Sequence, residues 1–95
     1  MIKLLKKYSL KNKNILITGA AGTLGKQFSL ALLEVGARVI ITDIDEKKLK
    51  KVKNEILKKN KKDTINDFKL DVSSENSIKD VLKKLDKLRI KIDVL

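Results

Sequence analysis

The chain has 95 residues and a mass of 10.7 kDa, room for one small domain, and its 42% hydrophobic and 37% charged residues allow a core beneath a densely charged surface. It contains no His, Cys, Pro or Trp, which excludes thiol nucleophiles, disulfides, imidazole bases and the usual zinc sites. The net charge is +11, yet all of the 23 cations except Arg38 and Arg89 are lysines and aromatics make up only 3%. That is a poor set for reading or stacking bases, so the lysines read as a solvated surface and no nucleic-acid partner is expected.

Met1–Tyr8 is basic and faintly amphipathic, without the roughly 7–15-residue apolar stretch of a secretory signal. No segment approaches the ~18 apolar residues of a membrane span, so a cytoplasmic chain with no membrane contact is expected. Residues 1–12 read as a lead-in. Asn14–Thr18 is a short β-branched run ended by Gly19, which predicts a buried strand. A helix rich in Leu and Ala follows from Thr23 to about Val35, with Gly36 beyond its end as a C-cap. Arg38–Thr42 predicts the second strand. Asp45 caps a second helix with the apolar stripe Leu49, Val52, Ile56 and Leu57 and a lysine-rich outer face. Asp67–Leu70 predicts the third strand. Ser73 caps a third helix whose stripe is Ile78, Val81, Leu82, Leu85 and Leu88, and Ile90–Leu95 begins a fourth strand.

Strands and helices thus alternate, β-α-β-α-β-α-β. Such alternation builds a parallel sheet with helices on its faces through right-handed crossovers. The continuous apolar runs fit strands covered on both sides. The predicted fold is α/β, a Rossmann-type doubly wound parallel sheet carried to the start of its fourth strand over residues 1–95.

The turn between the first strand and first helix reads Thr18-Gly19-Ala20-Ala21-Gly22-Thr23-Leu24-Gly25. Gly19 permits a sharp turn off the strand, Gly22 lets a diphosphate approach the backbone, and Gly25 lets the helix pack close against the sheet. The helix N-terminus offers free N–H groups and partial positive charge to that diphosphate. Asp43, at the carboxyl end of the second strand, suits the two hydroxyls of an adenosine ribose and repels a 2′-phosphate, and Ile44 rather than an arginine follows it, which favours NAD over NADP. Lys47 and Lys48 keep NADP open. Asp43 could instead simply end the strand or cap the next helix, although Asp45 is the better cap. Asp71-Val72, after the third strand, borders the position of an adenine, where the carboxylate could accept from the exocyclic amino group and the Val72 N–H could meet a ring nitrogen. An ordinary turn explains the pair equally well.

With these motifs in place, the chain resembles the short-chain dehydrogenases/reductases. The resemblance runs from Tyr8-Ser9-Leu10-Lys11-Asn12-Lys13 through the glycine loop, Asp43 and Asp71-Val72 to Ile92-Asp93-Val94-Leu95. It implies a cofactor site formed by Gly19, Ala21, Gly22, Thr23, Leu24, Gly25, Asp43, Asp71 and Val72, with NAD as the partner. The implied reaction is hydride transfer between NAD and an alcohol/carbonyl substrate. The loop spacing is TGxxGxxG rather than the common TGxxxGxG, a pattern that points toward sugar or glycan-precursor substrates.

The family's catalytic Ser and Tyr-x-x-x-Lys pair, whose Lys lowers the Tyr pKa for acid/base work, have no counterpart in this sequence. The only tyrosine is Tyr8, and the residue four later is Asn12. The expectation is an amino-terminal NAD-binding portion that is inactive alone and self-associates through an open strand edge. Two other readings compete: a non-catalytic nucleotide-binding module and a small basic nucleic-acid binder.

Overall fold

The structure, a computed structural model, describes residues 10–60 and 64–95. Three strands form a parallel sheet in the order β1-β2-β3: β1 is Asn14–Ile17, β2 is Arg38–Asp43 and β3 is Ile65–Lys69. The register places Ile15 beside Val39 and Val39 beside Ile65, so β-branched side chains stack across all three strands. The helices between them are α1 (Thr23–Glu34), α2 (Glu46–Leu57) and α3 (Glu75–Lys87).

Alternate side chains serve two cores. On one face Ile15, Val39, Ile41 and Ile65 pack with Leu32 of α1 and with Leu49, Val52 and Ile56 of α2. On the other, Leu16, Ile40 and Leu70 pack with Val81 and Leu85 of α3. Both faces of the parallel sheet therefore carry helices, which is the doubly wound arrangement. None of the described helices is long and apolar enough to cross a membrane.

Helix ends follow local chemistry. After α1, Gly36 takes φ +93°, its N–H reaches the Leu33 carbonyl and the Ala37 N–H reaches that of Leu32. This paired Schellman closure favours glycine at the left-handed position. Asp45 caps α2 by accepting from the Lys48 N–H at 3.1 Å, as its sequence position predicts.

Four expectations shift. β2 runs one residue further, to Asp43, because Asp43 pairs with Lys69. β3 starts two residues earlier, at Ile65, because Ile65 and Asn66 find register partners in Val39 and Ile40, and it ends one earlier, at Lys69, opposite Asp43. Ser74, rather than Ser73, caps α3 by accepting from the Ser77 N–H, since Ser73 is already engaged with Asp71. On the α3 stripe Val81 and Leu85 are buried, whereas Ile78, Leu82 and Leu88 stay exposed.

The start of a fourth strand is present as one parallel bridge between Ile15 and Val94, on the side of β1 away from β2. The Asp93 N–H donates to the Asn14 carbonyl at 2.8 Å, the Asp93 carboxylate accepts from the Asn14 N–H, and the Asn14 amide donates to the Lys91 carbonyl. A cleft of about 580 Å³ opens beside β1, lined by Leu10, Leu24, Phe28, Leu32, Val94 and Leu95 among others. The lead-in is described only from Leu10, whose N–H donates to the Val35 carbonyl; the expectation for Met1–Ser9 lies outside the described residues.

Candidate cofactor site

The glycine turn leaves β1 at its carboxyl end and enters α1 at Thr23. Each of its glycines meets a different demand. Gly19 has φ +64°, a left-handed conformation that costs a β-branched residue most. Gly22 has φ −80° and ψ 167°, which any residue can adopt, and a Cβ there would meet only the Gly19 carbonyl oxygen at 3.8 Å. The space above Gly22 is open. A Cβ on Gly25 would lie 2.7 Å from the Ala20 Cα, so this glycine allows α1 to close onto the turn itself. The expected close packing is real, but its partner is the loop backbone.

α1 differs from its two successors at its start. Gly22 is the N-cap and supplies no side-chain hydrogen bond, and the first turn holds no acidic residue. α2 and α3 are capped by the side chains of Asp45 and Ser74 and carry Glu46 and Glu75 in their first turns. The first N–H groups of a helix have no intrahelical acceptor, so α1 alone of the three presents its donors and positive dipole end with no side-chain cap and no acidic residue of its own first turn.

The loop is strapped to the end of β2. The Ala20 N–H donates to the Thr42 carbonyl at 2.9 Å, and the Ala21 N–H donates to Asp43 Oδ2 at 3.0 Å. The Thr42 hydroxyl donates back to the Ile17 carbonyl at 2.8 Å. The other Asp43 oxygen accepts from the Asp45 N–H at 2.9 Å. Asp43 thus lies half-buried at the carboxyl edge beside the turn, as its position at a strand end predicts. Its bond to Ala21 was not legible in the sequence, because the two residues lie on different strand–helix connections.

At the end of β3, Asp71 Oδ1 accepts from both the N–H and the hydroxyl of Ser73, at 3.0 and 2.6 Å, which holds its carboxyl below the usual carboxylate range. The Ser77 hydroxyl accepts from the Asp71 N–H. This is an Asx-type turn, and both side-chain bonds fall on the same oxygen. Val72 is 64% exposed and Leu24 80% exposed. Ile44, to which the sequence reading assigns no contact with the cofactor, also projects into solvent at 59% exposure. Its apolar side chain directly after a strand-ending carboxylate was the available signal. Gly19, Ala21–Gly25, Asp43, Asp71 and Val72 therefore all lie at or just beyond the carboxyl ends of the strands, the edge where open α/β sheets hold ligands. No cluster of potential metal ligands exists among the described residues.

Residues 13–95 match the family model for short chain dehydrogenases. An uncharacterized oxidoreductase of Bacillus subtilis, YxbG, is 40% identical over 70 residues, covering 74% of this chain and 25% of that protein. Among solved structures, the crystal structure of gox2181 superposes with a TM-score of 0.83 at 26% identity, covering 99% of this chain and 35% of the other. The RhlG/NADP active-site complex of Pseudomonas aeruginosa gives a TM-score of 0.78 at 25% identity, over 92% of this chain and 34% of that one. The fold and the glycine turn thus define a Rossmann-type nucleotide-cofactor domain, and the chain belongs to the short-chain dehydrogenase/reductase family of oxidoreductases. It spans about a third of the length of the solved relatives it superposes on.

Proposed function

We propose that this chain holds the adenosine diphosphate half of NAD, as the amino-terminal part of an oxidoreductase that moves hydride between NAD and an alcohol/carbonyl pair. The observation that carries this reading is the uncapped start of α1 beneath the bare Gly22. A diphosphate placed there would accept from the free N–H groups of the first turn and meet the positive end of the helix dipole. Thr23, Leu24 and Gly25 would supply those N–H groups. The exposed Leu24 would flank the chain of the cofactor, and Gly19 would keep the turn tight.

Asp43 would receive the adenosine ribose. A carboxylate offers about four lone-pair sites, of which Ala21 and Asp45 use two, so both ribose hydroxyls could still donate to it. The adenine would lie between the exposed Ile44 and Val72, with the second oxygen of Asp71 toward its amino group. When bound, the cofactor would supply the hydride chemistry, and this chain would bind and orient it. The substrate-facing groups would come from sequence that corresponds to the remainder of the relatives. The TGxxGxxG spacing supports a sugar or glycan-precursor alcohol as substrate.

A second reading, NADP, is favoured by one observation. A cleft of about 430 Å³ between Ala21–Thr23 and α2 is lined by Lys26, Lys48 and Lys51. Of these, Lys26 is already bound to Glu55 at 2.5 Å, and its ammonium holds the Glu55 carboxyl below the ordinary range. The negative charge of Asp43 at the end of β2 would repel a 2′-phosphate and supports NAD.

Calorimetric titration with NAD and NADP, on the parent chain and on Asp43→Ala, tests the assignment. NAD is expected to bind the parent chain at least about tenfold more tightly, the equivalent of about 1.4 kcal/mol. Equal or tighter NADP binding would remove Asp43 from the ribose role.

A further inference from the structure

Two successive N–H groups of the glycine turn cross to the end of β2, and only one of them depends on a side chain. The Ala20 N–H bonds a backbone carbonyl, that of Thr42, and survives any substitution there that keeps the strand. The Ala21 N–H bonds Asp43 Oδ2. The same carboxylate accepts from the Asp45 N–H, and Asp45 caps α2. One side chain therefore joins the turn that leads to Gly22, the end of β2 and the start of α2.

We infer that Asp43 is a positioning residue for the glycine loop, acting through Ala21 on the backbone that faces the diphosphate, in addition to any contact with ribose. This rests on the cofactor reading above only for the identity of the ligand; the tether itself is a property of the free chain. Ala21 directly precedes Gly22, the N-cap of α1. The bond fixes the Ala20–Ala21 peptide, the last one before the Ala21–Gly22 peptide whose N–H turns back to the Gly19 carbonyl at 3.5 Å, and so holds the backbone that leads into α1. A bond to an ionised acceptor is about twice as strong as a neutral one, and it closes a connection between residues far apart in sequence. One consequence concerns cofactor specificity. Replacing Asp43 to admit a 2′-phosphate also releases the loop, so a charge change at this position alone cannot convert an NAD site into an equally tight NADP site.

Amide hydrogen exchange at Ala21, read by NMR on the full chain without nucleotide, tests the tether in the parent, Asp43→Asn and Asp43→Ala. The Ala21 amide is expected to exchange about tenfold faster in Asp43→Ala, as for loss of a bond to a charged acceptor. Ile40 and Ile41, inside β2, are expected to keep their protection and report an intact sheet. Unchanged Ala21 exchange beside intact β2 protection would overturn the inference. If Asp43→Ala does not fold, Asp43→Asn makes the same comparison, because an amide oxygen is a weaker acceptor than the carboxylate.

Titration with inorganic pyrophosphate, which has no ribose, reads the consequence for the ligand. Removing a negative charge would by itself strengthen pyrophosphate binding, so severalfold weaker binding by Asp43→Asn supports the tether. Equal or tighter binding by that variant contradicts an effect on the diphosphate loop. Faster Ala21 exchange in a chain whose parent binds neither pyrophosphate nor NAD would support the tether and count against the cofactor reading.

Discussion

A methyl group on Gly25 would lie 2.7 Å from the Cα of Ala20 and 3.0 Å from its carbonyl carbon and oxygen. The contact is with backbone, so no side-chain rotation relieves it, and α1 can leave the turn at this angle only with glycine there. Gly22, three residues earlier, meets nothing comparable. Two glycines of one motif therefore answer to different forces, packing at Gly25 and an open face at Gly22.

Gly25→Ala is accordingly expected to destabilise the fold by about 1–3 kcal/mol, the usual range for overpacking. Gly22→Val, in an extended conformation but at an N-cap, is expected to cost no more than about 1 kcal/mol while abolishing nucleotide binding. Gly19→Val is a poorer probe, since φ +64° makes its folding loss large. Denaturant unfolding beside nucleotide titration separates the effects; a Gly22→Val chain that binds normally would reduce the motif to a tight turn.

Asp67 supplies a pH-dependent contribution. It lies at the middle of β3 with its side chain 6% exposed, bridged by Lys50 and Lys53 of α2 at 2.6 Å each. Burial pushes its carboxyl up, but the hydrogen bonds and charges of the two ammonium groups outweigh burial and hold it below the ordinary value; the same carboxylate raises Lys50. A carboxyl lowered in the folded state stabilises fully above its unfolded pKa, about 3.9, and loses that contribution as pH falls through the folded value. Asp67→Asn is expected to cost about 1–3 kcal/mol at neutral pH and progressively less as the parent titrates below about pH 4. A mutant deficit that is constant from pH 7 into acid would contradict the account.

Arg89 occupies the left-handed position after α3, φ 57°, where its N–H reaches the Asp86 carbonyl and the Ile90 N–H reaches that of Leu85. This is the closure that Gly36 makes after α1, with a residue that resists it. Arg89→Gly should raise stability by about 0.5–1 kcal/mol net of the added freedom of the unfolded chain, visible as a higher melting temperature. A lower melting temperature would mean that the arginine side chain contributes more than its backbone strain costs.

The elements themselves were legible because apolar periodicity and glycine positions carry them. The α3 stripe shows where that information stops. Ile78, Val81, Leu82, Leu85 and Leu88 share a helical face by spacing, but spacing does not say what covers them, and only Val81 and Leu85 are covered. The start of β3 was hidden because Asn66 separates the lone Ile65 from the Asp67–Leu70 run, and only the pairing with Val39 and Ile40 makes both residues strand. At the α3 cap, two adjacent serines are equally suited by type. The bond from the Ser73 hydroxyl to Asp71 leaves the cap to Ser74. The common place of Gly19, Gly22, Asp43 and Asp71 at the carboxyl edge was legible, whereas the link between Asp43 and Ala21 arises from the strapping of one turn to the next strand.

Exposed apolar surface on both sides of β1 sets the solution behaviour. Phe28 and Leu95 on one cleft, and Ile78 and Leu82 on the other face, are open to solvent. The +11 net charge opposes close approach of two copies, and salt screens it beyond about 8 Å at physiological ionic strength. Self-association is therefore expected to increase as salt rises. Sedimentation velocity across a salt series measures it, and a monomer at every ionic strength would contradict this.

The central claim, that the carboxyl edge of this sheet holds the adenosine diphosphate part of NAD, is tested most directly by mapping amide shifts of the labelled full chain as NAD is added. Saturable shifts are expected at Gly22–Gly25, at Asp43 and Ile44, and at Asp71 and Val72, with β2 interior amides such as Ile40 nearly still. Shifts confined to the lysines of α2, or no saturable shift at NAD concentrations in the millimolar range, about −4 kcal/mol of binding, would contradict it.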